Sequence, residues 1–395
     1  MKELSKKAKN MSASVTLELT AKAGEMRKSG IDVISFGVGE PDFNTPKNII
    51  NAAKMAMDAG KNKYTAASGM IELKTAICGK FKNDNNLNFE ESNIVVSTGA
   101  KQSLANSFLA ILNPFDEVIM AVPYWVSYPE LIKLADGVPI LVKTSEKTDF
   151  KLTSKDIKDN LTNKTKAIII NSPNNPTGAI YTKEELEDIA KVCEELDLFI
   201  ISDEIYEKLN YDNQNNPHIS IASISDDAFN RTIVINGFSK SHAMTGWRLG
   251  YCGANKEITK IMSTIQSHTT SNPNTIAQYA GLEALIGEDE ELNKMVEIFE
   301  KRRNLMVKHL KNIKDITYIT PKGAFYCFIN VSNLFNDEIK SSSEFTNKLL
   351  ENENVMLIPG IAFGNDDYIR LSYATSEENI VKGMNRIETF VKAMR

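Results

Sequence analysis

From residue 94 onward, short runs of consecutive apolar residues alternate with stretches in which apolar positions recur every three or four residues. The runs are NIVVSTG, EVIMAVP, KAIIINSP, LFIISDE and RTIVINGFSK, and KQSLANSFLAIL and EELEDIAKVCEEL lie among them. A run that is apolar at every position is buried on both faces, so these segments predict strands of a mainly parallel sheet, with the amphipathic stretches as covering helices. Upstream, residues 47–60 (KNIINAAKMAMDAG) keep helical spacing as far as Gly60, and Ile71 to Phe81 repeats it after the Ser68-Gly69 break. Two surface helices are expected there.

The pattern changes after residue 285. A long charged helix from about Glu288 to Asn312 is followed by KGAFYCFINV, a helix near Ser343 to Glu351, then VMLIPGIAF, IRLSYA and a final helix. We therefore expect an α/β large domain over 47–285 and a smaller α+β domain over 286–395, with residues 1–46 an N-terminal arm that packs against the smaller one. The 395 residues suffice for two such cores.

Composition adds exclusions. A formal net charge of −5 gives no general electrostatic reason to bind nucleic acid or an anionic membrane. The longest aliphatic runs, Ala167 to Ile170 and Leu198 to Ile201, fall far short of the roughly 20 residues that span a bilayer. Lys2, Lys6, Lys7 and Lys9 precede no apolar stretch of signal-peptide length and read as a solvated arm. The scattered Cys78, Cys193, Cys252 and Cys327 form no CxxC pair, which suits a reducing cytoplasm. His218, His242, His268 and His309 show no metal-ligand spacing.

In open α/β sheets ligands bind beyond the carboxyl ends of the strands, so the polar residues that close each apolar run are the candidates. These are Ser97 to Lys101, Asn171 to Gly178, Asp203, Glu204 and Tyr206, and Ser239 and Lys240. A carboxylate at the end of so apolar a strand as Leu198 to Ile201 needs a cation or donor, unless Asp203 simply caps the next helix. Lys240, alone, reads as a salt-bridged or snorkelling lysine. The two together meet the needs of a pyridoxal-phosphate (PLP) site, where a lysine holds the cofactor as a Schiff base and a carboxylate pairs with the pyridine nitrogen. Gly37-Val38-Gly39 begins a dinucleotide fingerprint, but Pro41 and Asp42 stop a helix from opening there, which argues against a nicotinamide enzyme.

SPNNPTG (172–178), SDEIY (202–206) and SKSHAMTGWRLGY (239–251) resemble signature blocks of class I aminotransferases of fold type I. GEPDF (39–43), KYTAASG (63–69), PYWVSYP (123–129), PKGAFY (321–326) and RLSYATSEENI (370–380) extend the resemblance over nearly the whole chain, in the order found in the bacterial aspartate branch. The resemblance implies a mostly parallel seven-stranded sheet covered by helices, PLP as cofactor, and a homodimer with shared active sites. Lys240 would hold the cofactor and carry the proton, Asp203 would face the ring nitrogen, and Tyr206 and Asn175 the phenolic oxygen. Arg248 and the amides of Gly99, Ala100 and Lys101 would hold the phosphate, with Ser239 beside the lysine and Tyr64 reaching the neighbouring subunit's phosphate. Gly237 stands where many relatives have a phosphate-binding serine. Trp125 would stack on the ring.

Substrate binding follows in the same way. Arg370 would clamp the α-carboxylate with Asn175 and the Gly39 backbone, and Lys101, with Ser14 and Thr16 of the arm, would read a second carboxylate. Ser12-Ala13 replaces the Lys-Pro pair of relatives that act on prephenate. The expected reaction is ping-pong transamination of L-aspartate and 2-oxoglutarate to oxaloacetate and L-glutamate. Aromatic or broad amino-acid specificity and a carbon–sulfur lyase of the same fold are the alternatives. Because the sequence opens directly on the arm, no DNA-binding module is expected.

Overall fold

In the computed structural model the structure describes residues 2–12 and 15–394. The apolar runs become one sheet. After a short β1 (Ile34–Ser35), the chain forms β2 (Ile94–Ser97), β3 (Glu117–Val122), β4 (Val138–Lys143), β5 (Thr165–Asn171), β6 (Phe199–Asp203), β7 (Thr232–Gly237) and β8 (Gly250–Gly253). Strands β2 to β8 make a seven-stranded sheet in the order β2-β8-β7-β6-β5-β3-β4. All its pairings are parallel except those of β8, which runs antiparallel to both neighbours.

The middle strands are apolar throughout because both faces are covered. On one side Val95, Ile169, Ile201, Ile233 and Ile235 pack with Leu104 and Phe108 of the Ala100–Ile111 helix. On the other, Ile168, Ile170 and Ile200 meet Leu186, Ile189 and Cys193 of the Lys183–Glu195 helix. That helix begins at a capping box in which Thr182 and Glu185 satisfy each other's amides. The expected surface helices are Lys47–Asp58 and Ile71–Asn85.

Past residue 286 the helices Glu290–Leu310, Ser342–Glu353 and Glu377–Ala393 cover a second sheet. Its strands are β9 (Thr317–Tyr318), β10 (Tyr326–Asn330), β12 (Ile358–Pro359) and β13 (Tyr368–Ser372), in the order β12-β13-β10-β9, while β11 (Val355–Met356) pairs in parallel with β1. Ile34 and Phe36 thus join Phe299, Phe345, Ile380 and Phe390 in one apolar cluster. The arm behaves in two ways. Residues 34–36 pack with the C-terminal part, while among residues 2–12 Lys7 pairs with Asp136 at 2.7 Å and the Ser12 amide donates to Glu130 at 3.1 Å, beside the large sheet. The VMLIPGIAF run is not one strand either. It splits into β11, β12 and the 3-10 turn Gly360–Phe363. Among the described residues, no helix is long and apolar enough to cross a membrane.

Candidate active site

The ends of β6 and β7 bring the two key residues together. Asp203, 4% exposed, accepts from the Tyr128 hydroxyl at 2.6 Å and from the Ile205 amide at 3.2 Å. Burial drives its carboxyl up from 3.8 to about 6, with Glu204 adding to the rise against the lowering by Tyr128, the Ile205 amide and Lys240. Lys240 donates to the Gly39 carbonyl at 2.6 Å. Desolvation brings its amine down to about 8, helped by Arg370 and Arg248 and opposed by Glu40 and Asp203. The Tyr206 and Phe325 rings lie 5.9 and 5.7 Å from the same amine. Ser239 is buried beside it.

Tyr206 shares a 3.0 Å hydrogen bond with the Tyr326 hydroxyl, and burial first, then Tyr326, hold its phenol well above the ordinary range. Arg370, at the centre of β13, is 3% exposed and has no carboxylate within ion-pair range among the described residues. Its guanidinium donates to Asn175 Oδ1 at 3.1 Å and to the Gly37 carbonyl at 2.8 Å, lies over Tyr326 (4.4 Å) and Phe363 (4.9 Å), and leaves Nε without a partner. Buried cations of this kind are costly unless an anion arrives.

Positive groups gather where β2 turns into the Ala100–Ile111 helix. Gly99 makes that turn at φ +78°, and a Cβ there would stand 2.6 Å from Arg248 Nη2. Arg248, itself left-handed at φ 53°, is held by the Thr245 carbonyl at 2.8 Å. The helix opens with Ala100 and Lys101, so its positive end and the guanidinium flank one spot. Strand β8 runs so close beneath the turn that a Cβ at Gly250 would strike the Ala100 backbone. Gly237 is constrained likewise, since a Cβ there would stand 2.9 Å from the Gly250 Cα. The Lys101 ammonium lies 5.0 Å from the Trp125 ring, which meets Tyr128 edge-on at 5.3 Å. Burial, then Arg248, lower the Lys101 amine.

Lys240, Asp203, Tyr206, Asn175 and Arg370 are therefore linked by contacts, Tyr326 joining Tyr206 to Arg370 and Tyr128 joining Asp203 to Trp125, while Lys101 lies against Trp125 and Gly99 and Ala100 lie at the turn beside Arg248. Gly39 contacts Lys240, whereas Gly37 holds Arg370. Tyr64 stands apart at 88% exposure in the loop after the Lys47–Asp58 helix. Thr16 lies in the first turn of the Val15–Lys28 helix, with no hydrogen bond to the pocket, and Ala13 and Ser14 lie outside the described residues. Sequence reasoning missed Tyr128, Tyr326 and the Gly37 carbonyl. The two tyrosines sit inside the PYWVSYP and PKGAFY blocks, which were the available signal.

Residues 31–387 match the family model for aminotransferases of class I and II, and the chain belongs to that family. It is an aminotransferase, acting on amino and oxo acids. Among curated relatives, the aspartate aminotransferase of Bacillus subtilis is 47% identical over 99% of both chains, and that of Bacillus sp. YM-2 is 48% identical over 99% of this chain and 100% of its own. The solved aspartate aminotransferase of Thermus thermophilus with maleate superposes with a TM-score of 0.93 at 39% identity, covering 98% of this chain and all of that one.

Proposed function

We propose that the protein is a PLP-dependent aspartate aminotransferase that converts L-aspartate and 2-oxoglutarate to oxaloacetate and L-glutamate. The observation that carries the reading is the buried Arg370 guanidinium, with no carboxylate partner among the described residues, linked through Tyr326 and Tyr206 to Lys240. The donor set fits PLP group by group. Asp203 suits a ring nitrogen, Tyr206 and Asn175 a phenolic oxygen, Lys240 an aldehyde, and Arg248 with the Gly99–Lys101 amides a phosphate. Bound there, PLP supplies an electron sink for the charge left when a proton leaves the substrate α-carbon.

The residues divide the work. With its amine lowered to about 8, Lys240 is available in neutral form as nucleophile and, once released, as the base that takes the α-carbon proton. Asp203 would keep a negative charge against the ring nitrogen, and Ser239, beside the lysine, would be among the cofactor-binding groups. Trp125 offers a flat face to the ring. Arg370 binds the α-carboxylate with two parallel hydrogen bonds, assisted by Asn175 and Gly39. Lys101 at the rim is the counter-ion for a second carboxylate, in keeping with the dicarboxylate maleate held by the Thermus relative. Exposed Tyr64, with Met55, Met57 and Ile71 exposed nearby in sequence, supports a homodimer in which Tyr64 completes the partner's phosphate site. Residues 47–285 would form the cofactor domain and 286–395, with 1–46, the part that closes over substrate. Four free cysteines accord with a cytoplasmic location.

A panel of amino donors assayed with 2-oxoglutarate, together with borohydride reduction and peptide mapping, tests the proposal. Aspartate should lead the panel and PLP should be fixed to Lys240. A protein that remains colourless with PLP and leaves Lys240 unlabelled overturns the cofactor reading, and a preference for aromatic donors overturns the substrate.

A further inference from the structure

The turn that carries Asp203 and Tyr206 has a second, equally buried face. Its sequence is Asp203-Glu204-Ile205-Tyr206-Glu207, and the two glutamates contact a different set of groups from their pocket neighbours. Glu204, 1% exposed, accepts from Ser220 Oγ at 2.6 Å and Ser202 Oγ at 2.9 Å, and its other oxygen faces His218 Nε2 at 3.0 Å. Glu207 accepts from Asn85 Nδ2 at 2.8 Å and is ion-paired with Lys80; His218 Nε2 stands 3.8 Å away. Asn85 Oδ1 in turn accepts from Lys80 at 2.6 Å. Burial would raise the Glu207 carboxyl, but Lys80 and His218, with the Asn85 hydrogen bond, outweigh it and hold it at about 2.

Burying two carboxylates is expensive, and apolar side chains of similar size would pack the space at lower cost. What the ionic arrangement adds is direction. Lys80 and Asn85 come from the Ile71–Asn85 helix, Ser220 and His218 from the segment before the Ile221–Ser223 turn, and Ser202 from β6. The Glu204 amide is tied to the Ile235 carbonyl of β7 at 2.9 Å and the Glu207 amide to the Glu204 carbonyl at 2.9 Å. Each glutamate adjoins a pocket residue, so a displacement of either one moves Asp203 or Tyr206. The acidic and imidazole ligand atoms lie within 4.8 Å of one another, as in a metal site, but Lys80 already provides the positive charge at Glu207.

We propose that Glu204, Glu207 and His218, backed by Lys80 and Asn85, are positioning residues that clamp the turn from behind and so present Asp203 and Tyr206 to the cofactor. The inference rests on the roles given to those two residues above. It applies to the holoenzyme and is tested with Glu204→Gln, Glu207→Gln, His218→Ala and His218→Gln. The measurements are kcat and KM for the amino donor, apoenzyme affinity for PLP, melting temperature, and visible circular dichroism per bound cofactor. The last reports the asymmetry of the ring's surroundings and does not depend on the folded fraction.

Glu204→Gln and His218→Ala should lower kcat about tenfold to a hundredfold, the scale of a misplaced reacting group, while KM for the donor holds. Visible dichroism per bound cofactor should fall with kcat, and His218→Gln should restore part of both. Variants that melt earlier yet keep the wild-type kcat and dichroism overturn the clamp and leave the cluster a stabilising feature only. Should Glu204→Gln fail to fold, His218→Gln and Glu207→Gln carry the same comparison. Wild-type protein that fixes no PLP on Lys240 overturns the functional reading. Wild-type protein that fixes it, with variants indistinguishable from it, overturns the clamp alone.

Discussion

Asp203→Asn should stabilise the cofactor-free protein near neutral pH, although it removes a residue proposed to be essential. The carboxyl is buried, and its folded value of about 6 lies above the ordinary 3.8. As pH rises, the unfolded chain therefore releases this proton first, and the folded state is penalised progressively across that window. Below 3.8 the penalty is absent; above about 7 it is complete and, at about 1.4 kcal/mol per pH unit, amounts to about 3 kcal/mol. Asparagine has one acceptor where aspartate offers two, so with Oδ1 on the Ile205 amide the Tyr128 hydroxyl must turn from donor to acceptor and its proton loses its acceptor, at a cost of about 1 kcal/mol. The variant should thus be about 2 kcal/mol more stable than wild type at about pH 7.5 and slightly less stable at about pH 4. Urea unfolding of the apoprotein across that range reads the difference from the transition midpoints. A difference that does not change with pH refutes the reasoning. Saturating PLP should reverse the order, because the carboxylate then gains its partner in the wild type and the ligand stabilises the folded state.

Arg370→Lys keeps the charge but loses the two-pronged donor, so kcat/KM for every amino donor should fall about a hundredfold in steady-state assays. Gly99→Ala puts a Cβ 2.6 Å from Arg248 Nη2 at a strained φ, and should raise the dissociation constant for PLP while leaving that for unphosphorylated pyridoxal unchanged in fluorescence titrations. Lys101→Gln should lower kcat/KM for aspartate about tenfold with little effect on alanine; an equal loss on both would remove Lys101 from side-chain recognition.

What could be read in the sequence follows from burial. Strands β5, β6 and β7 are covered on both faces and so are unbroken apolar runs, and Asp203 and Lys240 stand out as polar residues just past two of them. Strand β8 is Gly-Tyr-Cys-Gly, with two side chains too few to make a pattern, because its backbone must pass under the Gly99 turn. Strand β4 lies at the sheet edge, half exposed, and with Pro139 inside it lacks the marks of a strand covered on both faces. The Thr275–Ile286 helix is enclosed between the helices Lys47–Asp58 and Ile71–Asn85, so its apolar residues form no stripe. Tyr128 and Tyr326 could not be chosen from other tyrosines, since their bonds to Asp203 and Tyr206 span 75 and 120 positions. Tyr64, exposed in its loop, is singled out by no contact that a run or a spacing would announce.

The pairing of β1 with β11 has a consequence for how the molecule is made. Ile34 waits for Val355, and the Ser372 amide closes on the Phe36 carbonyl. On a ribosome, Ile34 and Phe36 emerge long before Val355 and Ser372 and stay without these partners until those residues have been made. The Gly37 and Gly39 carbonyls that receive Arg370 and Lys240 follow directly on that strand. A nascent chain can therefore complete its large sheet early, but it acquires a finished Lys240 pocket only when residues made late return to those made first.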